Sequence, residues 1–205
     1  THNRYVHLYL NGLYWGIYDP TERPDAGFAQ QYLGGEKEDY DVVNEGAVVD
    51  GNMTVYNTML AVSNLADPGQ YDLMHQYLDV PQYIDYILLH FYVGHEDWGQ
   101  NKNWYTIRRR APGEGFRYVC WDGENTLGSP SYNRVSNTDT ASGLHTKLVA
   151  NTQYRLDFAD HVQRHFFHDG ALTPNRVADR WLKRSREVEL AIVAESARWG
   201  DYRRD

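Results

Sequence analysis

The sequence predicts an α+β fold, and three features carry that reading: an Asn-Gly hairpin near the N-terminus, a strand pair within residues 104–121, and helical periodicity that dominates from residue 51 onward. At 205 residues the chain suits one domain with a strand-rich part over 1–50 and a mainly helical part over 51–205, truncated at both ends.

The first strand is expected from Tyr5 to Leu10, with Val6, Leu8 and Leu10 on one face. Asn11-Gly12 is the strongest short-range signal for a type I′ turn, and the chain returns over Leu13 to Tyr18 with Leu13, Trp15 and Ile17 inward. A short helix begins near Pro24-Asp25, runs to Leu33 and stops at Gly34-Gly35. Asp41-Val42-Val43 reads as a short strand leading into a Val49-Asp50-Gly51 turn. Helices follow over Met53–Leu65 and Gln70–Leu78. The segment from Val80 to Gly94 has Ile84, Ile87, Leu88 and Phe91 at helical spacing and further apolar faces, which predicts a central buried helix. Strands Trp104–Arg108 and Phe116–Trp121 flank the turn at 111–115, and the polar stretch 128–137 reads as a mobile loop. Helices near 142–150 and 152–167 precede a long last helix, which starts at Thr173-Pro174 and reaches about Arg198.

Composition narrows the partners. Twenty-eight acidic against 20 basic residues give a net charge of −8, which disfavours a non-specific binder of nucleic acid or of an anionic membrane and suits a site that gathers divalent cations. One cysteine, Cys120, permits neither an internal disulfide nor a cysteine-ligated zinc site. No apolar run approaches the ~18 residues that a membrane-spanning helix needs. The chain reads as an excerpt, so a targeting signal is not visible in it.

The chemistry concentrates in His95-Glu96-Asp97-Trp98-Gly99-Gln100-Asn101-Lys102-Asn103 and, one strand pair later, in Trp121-Asp122-Gly123-Glu124. A carboxylate and a carboxamide on one loop, followed by two carboxylates beyond a strand pair, is the order protein kinases use. There an Asp orients the attacking hydroxyl, an Asn takes a metal, and a second Asp takes the metals of the nucleotide. Asp97 and Asn103 stand six positions apart, one more than in the usual kinase loop.

The residues 8–18 (Leu-Tyr-Leu-Asn-Gly-Leu-Tyr-Trp-Gly-Ile-Tyr), Thr21-Glu22-Arg23, Tyr77-Leu78-Asp79, Ile84-Asp85-Tyr86, Asp97-Trp98, Asn103-Trp104-Tyr105, and Trp121-Asp122 with Gly128 together resemble the CotH kinase family, named for a spore-coat protein of sporulating bacteria. The resemblance implies a reduced protein-kinase-like fold and an atypical, secreted or surface-associated kinase. Such an enzyme moves the γ-phosphate of ATP, with Mg²⁺ or Mn²⁺, to Ser or Thr hydroxyls of a protein substrate. Carried over by position, Asp97 is the catalytic aspartate, and Asn103 and Asp122 are metal ligands. Glu124 stands where family members often have Asp, and joins them as a ligand. Glu22 matches a family position, and with Arg4 it is a candidate for nucleotide contact. Many members carry a lysine in the strand after the first helix, where this chain reads Tyr40-Asp41-Val42-Val43-Asn44. Arg4, Arg23 or Lys37 is then left to neutralise phosphate. These two departures keep a second reading open, a catalytically weak pseudokinase or surface assembly module of the same fold. A metal-dependent phosphoester hydrolase is a third class.

Other features take plainer readings. His161 and His165 are i, i+4 on one helix, without a third ligand, and read as a solvated face. His95 reads as a loop residue beside the site, Trp98, Trp104 and Trp121 as core, and Gly12 and Gly16 as hairpin geometry.

Overall fold

The computed structural model describes residues 2–200. It combines eight α-helices with two small antiparallel sheets among the described residues, an α+β architecture. The chain divides into two compact units, one of residues 2–22 with 164–200 and one of residues 23–163.

In the first unit, β1 (Val6–Leu10) and β2 (Leu13–Tyr18) form the expected hairpin. Asn11 and Gly12 have φ of 50° and 80°, the two positive values a type I′ turn demands. The predicted inward set is only partly inward: Leu10 is 44% and Leu13 67% exposed. A register shift between Leu8 and Tyr9 breaks the two-residue alternation, and the hairpin is a sheet of two strands alone, so its turn end is left uncovered. Helices α7 (Pro174–Val188) and α8 (Ala191–Trp199) replace the single long helix of the sequence reading. They separate at Glu189-Leu190, both still in right-handed helical backbone, where neither glycine nor proline marks a break. α8 packs on β2: Glu195 Oε2 accepts from Ile17 N (2.7 Å) and Trp199 Nε1 donates to Trp15 O (2.8 Å). A Cβ on Gly16 would sit 2.7 Å from Glu195 Oε2, so this glycine, with φ of 142°, gives the carboxylate room as well as shaping the hairpin.

The second unit is built on a four-stranded antiparallel sheet in the order β4-β3-β5-β6: β3 (Tyr40–Asn44), β4 (Ala47–Asp50), β5 (Trp104–Arg109) and β6 (Arg117–Cys120). Val49 and Asp50, read as part of a turn, prove to be the end of β4, with Gly51 (φ of 68°) just beyond it; the hairpin turn between β3 and β4 lies earlier, at Glu45-Gly46, with φ of 51° and 87°. Both faces of the sheet are covered. Helix α1 (Ala26–Leu33), capped by the Asp25 side chain and ended by Gly34, packs Ala26 and Ala29 against Tyr40, Val42, Tyr105 and Ile107. On the other face, Trp104 and Tyr118 meet Tyr56 of α2 (Thr54–Ala61) and the buried Tyr83 and Tyr86. The short α3 (Pro68–Met74) ends four residues before the predicted boundary at Leu78.

α4 (Val80–Tyr92) is the central buried helix that the apolar pattern predicts, with Tyr83, Ile84, Tyr86, Ile87 and Leu88 all buried. It runs along edge strand β6. Asp79 N donates to Phe116 O at the start, and the Gln82 amide pairs with both the N–H and the C=O of Tyr118, standing in for a missing strand. Thirteen helical residues cover about 20 Å, and the extended run 116–122 covers about the same length. The loop that leaves α4 therefore emerges beside the segment that leaves β6. Helices α5 (Leu144–Leu148) and α6 (Thr152–Phe166) complete the succession. His161 of α6 is buried, with Nδ1 2.6 Å from Asp85 Oδ1 of α4, which corrects its reading as a solvated residue.

Candidate functional site

The loop after α4 holds Asp97 from several sides. Asn125 Nδ2 donates to Asp97 Oδ2 (2.9 Å), Lys102 Nζ lies 3.4 Å from the same oxygen, and His95 Nε2 stands 3.0 Å from Oδ1. Partial burial pushes the carboxyl toward protonation, but the Asn125 hydrogen bond, the Lys102 ammonium and the His95 ring outweigh it and bring the pKa below the usual carboxylate value. Asp97 is thus an ionised and weakly basic group, suited to orienting a hydroxyl more than to stripping it early.

Asn103 belongs to the same structure. Its Nδ2 donates to Asp97 O (3.1 Å), its own N–H donates to Glu45 Oε1 (2.8 Å), and it is buried with φ of 61°. A left-handed asparagine fixed at both ends is a strained and over-determined position. With Nδ2 committed, the Oδ1 atom is what the side chain offers to a cation.

Asp122 and Glu124 occupy the exit of β6, and both are exposed. Asp122 also has positive φ, 55°. Among the described residues no hydrogen bond or ion pair joins either carboxylate to the Asp97 loop. Their segment nevertheless does join it: Glu96 N donates to Asn125 O (2.9 Å), Leu127 N donates to Val93 O (2.7 Å), and Asn125 reaches Asp97. A Cβ on Gly128 would meet Glu96 Oε1 at 2.8 Å, so the glycine admits this close approach. The structure thus brings Asp97 and Asn103 into direct contact, and anchors the segment of Asp122 and Glu124 beside them through its backbone and Asn125.

A pocket of about 560 Å³ opens over the loop, bordered by Asp97, Trp98, Gln100, Lys102 and Asp139. Asp139 accepts from Gln100 N (2.7 Å), and a Cβ on Gly99 would come within 2.5 Å of its other oxygen. The stretch 128–137, expected to be mobile, has no helix or strand, but Arg134 pins it. This buried guanidinium donates to Trp98 O and Asp139 O (the latter at 2.5 Å) and lies over the Trp98 ring.

Arg4 is exposed and Glu22 pairs with His2 at 3.2 Å, both in the first unit. Arg23 donates to Tyr105 OH (3.1 Å). β3, which carries no lysine, holds instead the fully buried Asp41, with Arg108 and Arg110 each 3.7 Å away. Two groups around Asp97, Asn125 and Lys102, escaped the sequence reading, and the buried His95, read as a loop residue beside the site, stands directly against the carboxylate. Lys102 and His95 lie inside the motif quoted for Asp97. Asn125 directly follows the Asp122 motif, and only the meeting of α4 and β6 assigns it a partner.

No curated protein matches the chain. A family model described as CotH kinase protein matches residues 1–205. The match covers every segment assembled above, and the chain belongs to the CotH kinase family, a kinase-like phosphotransferase family.

Proposed function

We propose that this chain transfers the γ-phosphoryl group of ATP to a Ser or Thr hydroxyl of a protein substrate, with Asp97 as the catalytic aspartate. The observation that supports this best is the Asp97 carboxylate itself: ionised, held by Asn125, Lys102 and His95, and bordering an open pocket. Asp97 Oδ2 accepts the hydroxyl hydrogen and aims the oxygen at the phosphorus. As the new O–P bond forms and the bond to the departing diphosphate breaks, that proton passes to Asp97. Lys102 is a cation beside Asp97 and balances charge on the phosphoryl oxygens. Glu22 and Arg4 stay candidates for nucleotide contact.

A divalent cation fits the donors present. Asn103 Oδ1 and the unpaired, exposed carboxylates of Asp122 and Glu124 are hard oxygen ligands suited to Mg²⁺ or Mn²⁺. Such an ion neutralises phosphate charge when bound. Asp97, already paired with Lys102 and Asn125, is left for the hydroxyl. By family resemblance the place of action is extracellular or at the cell surface, with a coat protein as acceptor.

The experiment is transfer from γ-labelled ATP to a serine-rich acceptor protein, with Mg²⁺ or Mn²⁺, read as phosphoserine by mass spectrometry. Labelled phosphoserine that is lost with chelator and with Asp97→Asn supports the reading. Free phosphate without phosphoprotein selects the hydrolase, and nucleotide binding without turnover selects the pseudokinase.

A further inference from the structure

The two oxygens of Asp97 have different surroundings. Oδ2 receives Asn125 and Lys102, whereas Oδ1 is shut away from solvent and stands 3.0 Å from His95 Nε2 outside hydrogen-bond geometry, so that both atoms are buried without a hydrogen-bond partner among the described residues. His95 is 1% exposed, and its other ring nitrogen, Nδ1, lies 2.9 Å from Nδ1 of the buried His90. The rings form one stack. His90 lies parallel to His95 (5.0 Å, 14°) and to Trp98 (4.4 Å, 5°), and Arg134 covers Trp98 at 4.9 Å. Neither imidazole can turn without breaking that stack.

If both imidazoles are neutral, the facing Nδ1 atoms hold one proton between them. If His95 kept it, the bare Nε2 of His95 would point its lone pair at the ionised Asp97. If His90 keeps it, His95 carries its own proton on Nε2, 3.0 Å from Asp97 Oδ1. Burial, helped by His95 and the Arg134 cation, lowers the His90 pKa to about 3, so His90 has a single proton to place. Its Nε2, buried with no hydrogen-bond partner among the described residues, is then the bare nitrogen.

We infer that His95 is a positioning residue for Asp97 and that His90 sets its tautomer: His90 Nδ1–H donates to His95 Nδ1, which leaves the His95 proton on Nε2, 3.0 Å from the buried Asp97 Oδ1 and attracted to its charge. The catalytic consequence rests on the phosphotransfer reading; the hydrogen-bond order does not. His95 stands against one oxygen of the carboxylate, and the other, which takes Asn125 and Lys102, is the one offered to the substrate hydroxyl, as outer groups fix the ligands of a metal or the imidazole of a triad.

Nitrogen-15 NMR of the imidazoles in the full chain at neutral pH tests the order directly. The expected result is His95 protonated on Nε2 alone; an Nδ1–H tautomer, or both nitrogens protonated, overturns the proposal. This readout needs no turnover, so a protein that shows the tautomer but transfers no phosphate sinks the kinase reading alone. In the active protein, His95→Gln keeps an N–H near the Nε2 position, whereas His95→Asn places its amide near Nδ1 and lets Asp97 go. The glutamine variant should hold kcat within ~3-fold of the parent and the asparagine variant should lose ~30-fold, at unchanged KM for ATP, within the 10–100-fold range of outer groups. His90→Phe keeps the stack, removes the donor and should resemble His95→Asn. Equal kcat in the Gln and Asn variants, both folded by melting temperature, would overturn the positioning role.

Discussion

Asp97 and Asp122 are both aspartates at the exit of a regular element, and their surroundings are opposite. Asp97 follows a buried helix and is contacted by Asn125, Lys102 and His95, behind which His90, Trp98 and Arg134 stack. Asp122 follows an edge strand, is exposed, and takes no hydrogen bond or ion pair from any described residue. The difference follows from what each group would do. A side chain that orients a nucleophile has to be in place before substrate arrives, and buried packing supplies that order. A metal ligand finds its partner in the cation, and a protein cation beside it would compete.

The largest way to break this contrast is to remove the packing behind Asp97. Trp98→Ala deletes a nearly fully buried indole that touches His90, Tyr86 and Arg134, and should cost up to about 5 kcal/mol of stability, read by denaturant unfolding. Alanine at Asp122 should leave that measurement unmoved. Next, Asp97→Asn should lower kcat by ~10³, about 4 kcal/mol, with nucleotide affinity retained, as the proposed role in the transition state requires. Loss of folding in this variant would make Asp97 structural.

Asp122→Ala should reverse that pattern. Nucleotide affinity should fall by ~10², about 2.7 kcal/mol, in the presence of Mg²⁺ and change little without it, by calorimetric titration.

Acid sharpens the comparison from the buried side. The folded protein holds His90 neutral with a pKa of about 3, through burial, His95 and Arg134, and burial takes His145 to about 4. The unfolded chain binds these protons near the ordinary value of about 6.5, so stability falls as pH drops below it and continues falling toward the folded values. One unit below the free value, each histidine should cost about 1.4 kcal/mol, measured as melting temperature between pH 7.5 and 5.5. His90→Phe should flatten that slope. The smallest effect belongs to Glu124→Asp: an exposed ligand with room to adjust should change phosphotransfer by less than about tenfold, ~1.4 kcal/mol. A large gain would mark the natural chain as a weakened kinase.

Much of the fold was legible locally. Asn11-Gly12, the Asp25 cap, the Gly34 stop and the all-round apolar pattern of 80–92 are statements about backbone preference and burial that neighbouring residues make by themselves. The break between α7 and α8 has no glycine or proline to announce it, and β4 was mistaken for a turn because a four-residue edge strand is made by its partner β3 more than by its own sequence.

The sequence by itself determined the chemical types at the site, a carboxylate and an amide on one loop and two carboxylates after the next strand pair, together with the elements that carry them. Tertiary structure alone decided which of these groups is held and which is free. α4 and the extended run through β6 have nearly equal length and lie side by side, so their exits meet. That meeting gives Asp97 its Asn125. The stacking of Trp98 on His90, and of His90 on His95, turns an unremarked histidine and one read as an ordinary loop residue into the wall behind it. Contacts between residues as far apart as 97 and 125 are set by packing, which no local pattern encodes.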